Sequence, residues 1–167
     1  MNTFGDVAQL LNQMKGAGVM TEYAIAGAMA VTFWTEPVAT RDLDVVITPP
    51  PDTHALDPLR PLFEWLGQAG IELDGEHAMI AGVPVQFLIA WSPLVEEAVS
   101  RASDLSYDPS DPRAPTLRLI SPTYLVAMWA MDPAADTPRR RERAAMLREA
   151  GLVDERLLKE LVARFTP

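Results

Sequence analysis

One stretch constrains this chain more than any other: YAIAGAMAVTFWTEPVATRDLDVVI, residues 23–47. It opens with an apolar run, residues 23–26, suited to a buried strand, and Gly27 breaks that run. Residues 28–34 read as a short apolar helix. After Pro37, residues 42–47 (DLDVVI) are rich in β-branched side chains and end at a triple proline, 49–51, which predicts a strand. Strand side chains alternate faces, so Asp42 and Asp44 are expected to point the same way. Two carboxylates on one face repel unless a cation sits between them. Gly27 lets the backbone approach a ligand at the start of the following helix, where free N–H groups and the helix dipole favour phosphate. A phosphate cradle beside a carboxylate pair is the pattern of metal-assisted chemistry on a nucleotide. The spacing therefore predicts Asp42 and Asp44 on one sheet face, opening to a cleft that faces Gly27.

The rest of the chain supplies helices and strands around this stretch. Val7, Leu10, Leu11 and Met14 recur at helical spacing over residues 3–17. Asp57-Pro58 reads as a helix start, with Leu59, Leu62, Phe63 and Leu66 as the apolar stripe and Gly70 as the stop. Residues 71–73 and 77–81 predict short strands joined at Asp74-Gly75, and Val83–Ile89 predicts another. Ser92-Pro93 starts a helix that runs to about Ala102. Residues 103–115, polar and proline-rich, read as a surface loop, and residues 117–120 as a last short strand. Ser121-Pro122 and Thr137-Pro138 open two further helices; Asp154 caps a final one, with Leu157, Leu158, Leu161, Val162 and Phe165 along one face. The expected fold class is α/β: a small mixed sheet flanked by helices, with a C-terminal helical segment. With neither an internal repeat nor a linker, residues 1–167 are expected to form one domain, its core about 1–120 and its C-terminal helices about 121–167.

Charge is distributed unevenly. Residues 1–138 carry 6 basic and 18 acidic side chains, a net of −12, whereas residues 139–167 carry 8 and 5, a net of +3. An acidic body does not favour generic nucleic-acid binding. The basic segment is expected to fold back on the acidic body, with residues 139–143 on a helix within reach of the carboxylate pair. The chain has no cysteine, which excludes thiolate metal sites and disulfides and fits a reducing cytoplasm. The opening MNTFGDVAQLLNQMKG lacks the charge-then-apolar order of a secretion signal, and no apolar run reaches membrane-spanning length. A cytoplasmic protein without membrane contact is expected.

Ala26-Gly27-Ala28 followed, 15 positions after Gly27, by Asp42-Leu43-Asp44 resembles the signature of the nucleotidyltransferase superfamily: a hydrophobic residue, Gly, Gly or Ser, then Asp-hydrophobic-Asp. The string Val38-Ala39-Thr40-Arg41-Asp42-Leu43-Asp44 is similar to that of minimal bacterial nucleotidyltransferases of the AbiEii toxin type, with Val38 where an Arg is common. The resemblance implies transfer of a nucleoside monophosphate from NTP to an unidentified hydroxyl acceptor. Mg²⁺ would sit on Asp42 and Asp44, the catalytic pair, while Gly27, Ala28, Thr40 and Arg41 would contact the nucleotide. It also raises an antitoxin-like protein partner, or a toxin acting on RNA, as alternatives; RNA would need the basic segment.

Departures from that pattern feed a further alternative, a catalytically silent member that binds a nucleotide or a partner protein. The superfamily often places a third carboxylate on a later strand; here Gln86 occupies the natural candidate position, and an amide cannot act as general base. Glu72, Asp74 and Glu76 are the acids that could substitute. Trp129 stands where related toxins carry a Lys, and Arg141-Glu142 where they carry Lys-Asp. His54 and His77 read as surface or loop histidines, and Trp34, Trp65, Trp91 and Trp129 as core or rim packing.

Overall fold

The structure, a computed structural model, describes residues 3–53 and 56–167. Helix α1 (Thr3–Gly16) buries Val7, Leu11 and Met14 of the expected stripe, while Leu10 is only partly buried. Strand β1 (Glu22–Ile25) then enters the centre of the fold with Tyr23, Ala24 and Ile25 buried. Helix α2 (Gly27–Trp34) follows directly, and strand β2 (Leu43–Thr48) returns antiparallel to β1, pairing Ile25 with Val45 and Glu22 with Thr48. Asp42 lies one residue before β2 rather than within it. The reason is local: β1 has already turned into α2 at that level, and the last main-chain tie there is Ala26 N–H donating to the Asp44 carbonyl at 2.9 Å.

Helix α3 (Arg60–Gln68) begins three residues beyond the expected Asp57. Arg60 N–H donates to the Asp57 carbonyl at 3.3 Å in a preceding turn, and Pro61 rather than Pro58 occupies the first helical turn. Strands β3 (Glu72–Asp74), β4 (His77–Ile80) and β5 (Val83–Ile89) form an antiparallel meander. In the sheet β5 runs parallel beside β2. Ser92 caps helix α4 (Pro93–Ser100), its hydroxyl accepting from Val95 N–H at 3.3 Å.

Residues 103–106, expected in a surface loop, form an edge strand instead: β6 (Ser103–Ser106) pairs antiparallel with β7 (Thr116–Leu119). Its polar sequence hid it, because pairing there is held from the neighbouring strand. Arg118, whose side chain is only 15% exposed, donates to the carbonyls of Tyr23 and Val99, both at 3.2 Å, and lies 3.6 Å from Asp104. One guanidinium thus joins β1, β6, β7 and the end of α4, its donors satisfied by buried carbonyls.

The seven strands form one mixed sheet in the order β3-β4-β5-β2-β1-β7-β6, parallel at β2/β5 and β1/β7 and antiparallel elsewhere. This mixed α/β architecture is the one expected. Helices α5 (Pro122–Ala130), α6 (Pro138–Glu149) and α7 (Glu155–Phe165) follow the last strand. Helix α5 packs on α2, α4, α6 and α7, and α6 also reaches α2. Leu147, Leu158 and Leu161 of the C-terminal helices join the same apolar core as Val45 and Ile47. The indole N–H of Trp34 donates to the Ile120 carbonyl at 2.9 Å, fixing the far end of α2 against the entry to α5. Trp65 and Trp129 are partly buried against the core and Trp91 is 57% exposed. Among the described residues no helix is long and apolar enough to cross a membrane.

Candidate functional site

The β1–α2 junction places Gly27 directly over Asp44. Gly27 has φ +62°, a left-handed conformation that lets the chain leave the strand and enter the helix within one residue. A Cβ built on it would overlap Oδ2 of Asp44 and lie 3.2 Å from the carboxyl carbon. The position is therefore restricted to glycine twice over, by backbone and by space. The preceding Ala26 is extended and offers no side-chain cap, so the first N–H groups of α2 open beside the Asp44 carboxylate without one.

Asp44 is partly buried, and burial raises its proton affinity above the ordinary carboxylate range; the nearby charge of Asp42 raises it further. Arg140, Arg143 and His77 act in the opposite direction. The two aspartates thus feel each other, as their i, i+2 spacing requires, although Asp42 is half exposed outside the strand. A divalent cation fits this pair: it would relieve like-charge repulsion in a partly desolvated place, and Mg²⁺ commonly takes one or two protein carboxylates with substrate phosphates completing its shell. Among the described residues no group of three or more His, Asp or Glu side chains converges on a cation position.

Strand register extends the site sideways. Asp44 lies opposite Gln86 in the parallel β2/β5 pair, Gln86 opposite His77 in β4/β5, and His77 opposite Asp74 in β3/β4. Directly paired residues share a sheet face, so Asp74, His77, Gln86 and Asp44 form a polar row. His77 is accordingly not a loop histidine: it opens β4, and its Nε2 is 3.7 Å from Asp42 Oδ2. His54 lies outside the described residues. The Gln86 amide donates to Glu76 Oε2 at 3.3 Å, which draws the acid of the β3–β4 turn to the row. Glu72, on the exposed edge strand opposite Met79, makes no such contact among the described residues.

Thr40 and Arg41 are placed less tightly. The Thr40 hydroxyl donates to the Asp42 carbonyl at 3.2 Å, shaping the turn into β2, whereas Arg41 is exposed. The cations acting on Asp44 come from α6, roughly 100 residues later in the sequence, and from β4. The charge split between the acidic body and the basic segment hinted at the α6 contribution; nothing short of strand pairing pointed to His77.

No protein family and no curated protein matches the chain in sequence. Solved structures do match it in shape. The solution structure of ANT(2'')-Ia, described as an antibiotic-resistance factor, aligns with a TM-score of 0.51 at 14% identity over 99% of this chain and 92% of that one. A crystal structure of ANT(2")-Ia in complex with adenylyl-2"-tobramycin gives 0.52 at 14% identity over 98% and 97%. An antigenic nucleotidyltransferase-like protein from Paracoccidioides brasiliensis gives 0.56 at 12% identity over 89% and 76%. At these identities the likeness shows a shared fold.

Proposed function

We propose that this protein is a metal-dependent nucleotidyltransferase that moves a nucleoside monophosphate from an NTP to a hydroxyl acceptor. The observation that carries the reading is Asp44: a partly buried carboxylate crowded by Asp42 and set against the glycine that begins α2, in a nucleotidyltransferase-like fold. Asp42 and Asp44 would hold the metal. Bound there, Mg²⁺ supplies Lewis-acid stabilisation of charge at the transferred phosphate. The N–H groups at Gly27 and Ala28 orient phosphate oxygens at the start of α2. Thr40 and Arg41 shape and flank the turn that presents the two aspartates. Gln86 holds its position on β5 as an amide and cannot take the acceptor's proton.

That last feature favours a second reading, a nucleotide-binding member with weak transfer, because the amide beside Asp44 is already engaged with Glu76. One experiment serves both. Calorimetry with ATP and GTP, with and without Mg²⁺, is expected to show metal-dependent binding by the wild type that falls roughly tenfold or more in Asp44→Asn. An absence of heat with every NTP overturns both readings. Rapid transfer to a simple acceptor removes the second reading and directs attention to Glu76→Gln.

A further inference from the structure

Between residues 36–39 and helix α6 lies a cavity of about 410 Å³. Its lining includes Arg139, Arg143, Glu36, Glu142, Val38 and Met146. The volume is in the range of small-molecule sites. Arg139 and Arg143 are four positions apart on α6, one turn, so they share a helix face. Arg143 is partly buried; desolvation, with the like charges of Arg139 and Arg140 close by, disfavours its charged form. The neighbours on α6 are engaged: Arg140 lies 3.7 Å from Asp132, and Arg141 holds Asp136 at 2.6 Å. No such ion pair joins Arg139 or Arg143 among the described residues. Glu36 and Glu142 border the same cavity without pairing with either guanidinium. Arg143 is also one of the cations acting on Asp44, so one wall of the cavity lies within electrostatic reach of that carboxylate.

We propose that this cavity binds a phosphate-bearing ligand, with Arg139 and Arg143 contacting the phosphate. Grouped guanidinium groups without partners are held against their mutual repulsion, and an anion entering the cavity removes that repulsion while offering oxygens that match the guanidinium fork. The inference takes its ligand class from the nucleotidyl-transfer reading, because either the donor's β- and γ-phosphates or a phosphate on the acceptor presents this chemistry.

The test is titration of the full chain with sodium tripolyphosphate at low ionic strength and without divalent metal. Binding is expected, weakened by added salt and reduced about tenfold by each of Arg139→Ala and Arg143→Ala. Arg141→Ala, whose guanidinium is already held by Asp136, should leave it unchanged. Arg139→Lys/Arg143→Lys keeps the charge and serves alongside the alanine variants, with circular dichroism checking their fold. Asp44→Asn should retain or tighten tripolyphosphate binding while losing metal-dependent NTP binding, so the arginine site and the carboxylate site fail separately. Displacement of tripolyphosphate by Mg·ATP assigns the site to the donor; simultaneous binding assigns it to the acceptor. No binding by the wild type, or equal affinity in the double alanine variant, overturns the proposal.

Discussion

Two carboxylates in this molecule occupy opposite electrostatic circumstances. Glu97 on α4 accepts from the Tyr124 hydroxyl at 2.5 Å and from Arg164 at 2.7 Å, with Arg101 at 3.6 Å. Those partners, led by the tyrosine, hold its proton affinity below the usual glutamate range, and in return Tyr124 is pushed up to about 12, chiefly by its own burial. Asp44 is shifted the other way, by burial and by the neighbouring Asp42, with no hydrogen-bond donor to its carboxylate among the described residues. Glu97 links α4, α5 and α7 and is satisfied by the fold itself. Asp44 is left with a burden that Arg140, Arg143 and His77 offset only in part. Carboxylates perturbed in this way are found more often at functional sites than in structural networks of the Glu97 kind.

The sharpest way to break this contrast is at Gly27. Gly27→Ala meets both a left-handed backbone and the Asp44 carboxylate, and should lower stability by about 3 kcal/mol, combining backbone strain and overpacking. Gly18→Ala is the control, since Gly18 has φ +76° but open space around it; it should lose only about 1 kcal/mol. Urea unfolding measures both, and equal losses would mean that Asp44 does not press on Gly27.

A smaller effect is expected in the helical network. Tyr124→Phe removes a donor from Glu97 and should lower stability by about 1–2 kcal/mol in the same assay. An unchanged midpoint would strip Glu97 of its structural role.

Acid titration then tests the signs. Glu97 has a lowered folded value, so its contribution is present above its ordinary value of 4.5 and lost as pH falls through the folded value. Wild type should therefore lose stability below pH 4.5 more steeply than Glu97→Gln. Equal slopes would remove the contrast from this side.

Asp44 should behave inversely, and with the smallest effect on stability. Its folded value is raised, so its contribution is present below 3.8 and lost as pH rises through the folded value. In metal-free protein at neutral pH, Asp44→Asn should raise the denaturant midpoint slightly, and the gain should vanish below pH 3.8. A loss of stability instead would show Asp44 to be a structural carboxylate like Glu97.

By itself the sequence determined what depends on neighbours along the chain. The helical spacing of Val7, Leu11 and Met14, the Ser92-Pro93 start and the Asp154 cap are short-range patterns, and the Gly27-to-Asp44 segment carries its strand, turn and helix in its own order. The i, i+2 spacing that leaves Asp42 within electrostatic reach of Asp44 is likewise local. The tertiary structure alone decided what depends on pairing between distant segments. Polar Ser103–Ser106 became a strand because β7 and Arg118 hold it, which no property of SDLS specifies. His77 and Glu76 came to the site through the β4/β5 register, and side-chain facing across strands is undefined until that register exists. Arg140 and Arg143 act electrostatically on Asp44 because α6 packs back on α2 and α5, an arrangement that charge counting could suggest but not orient.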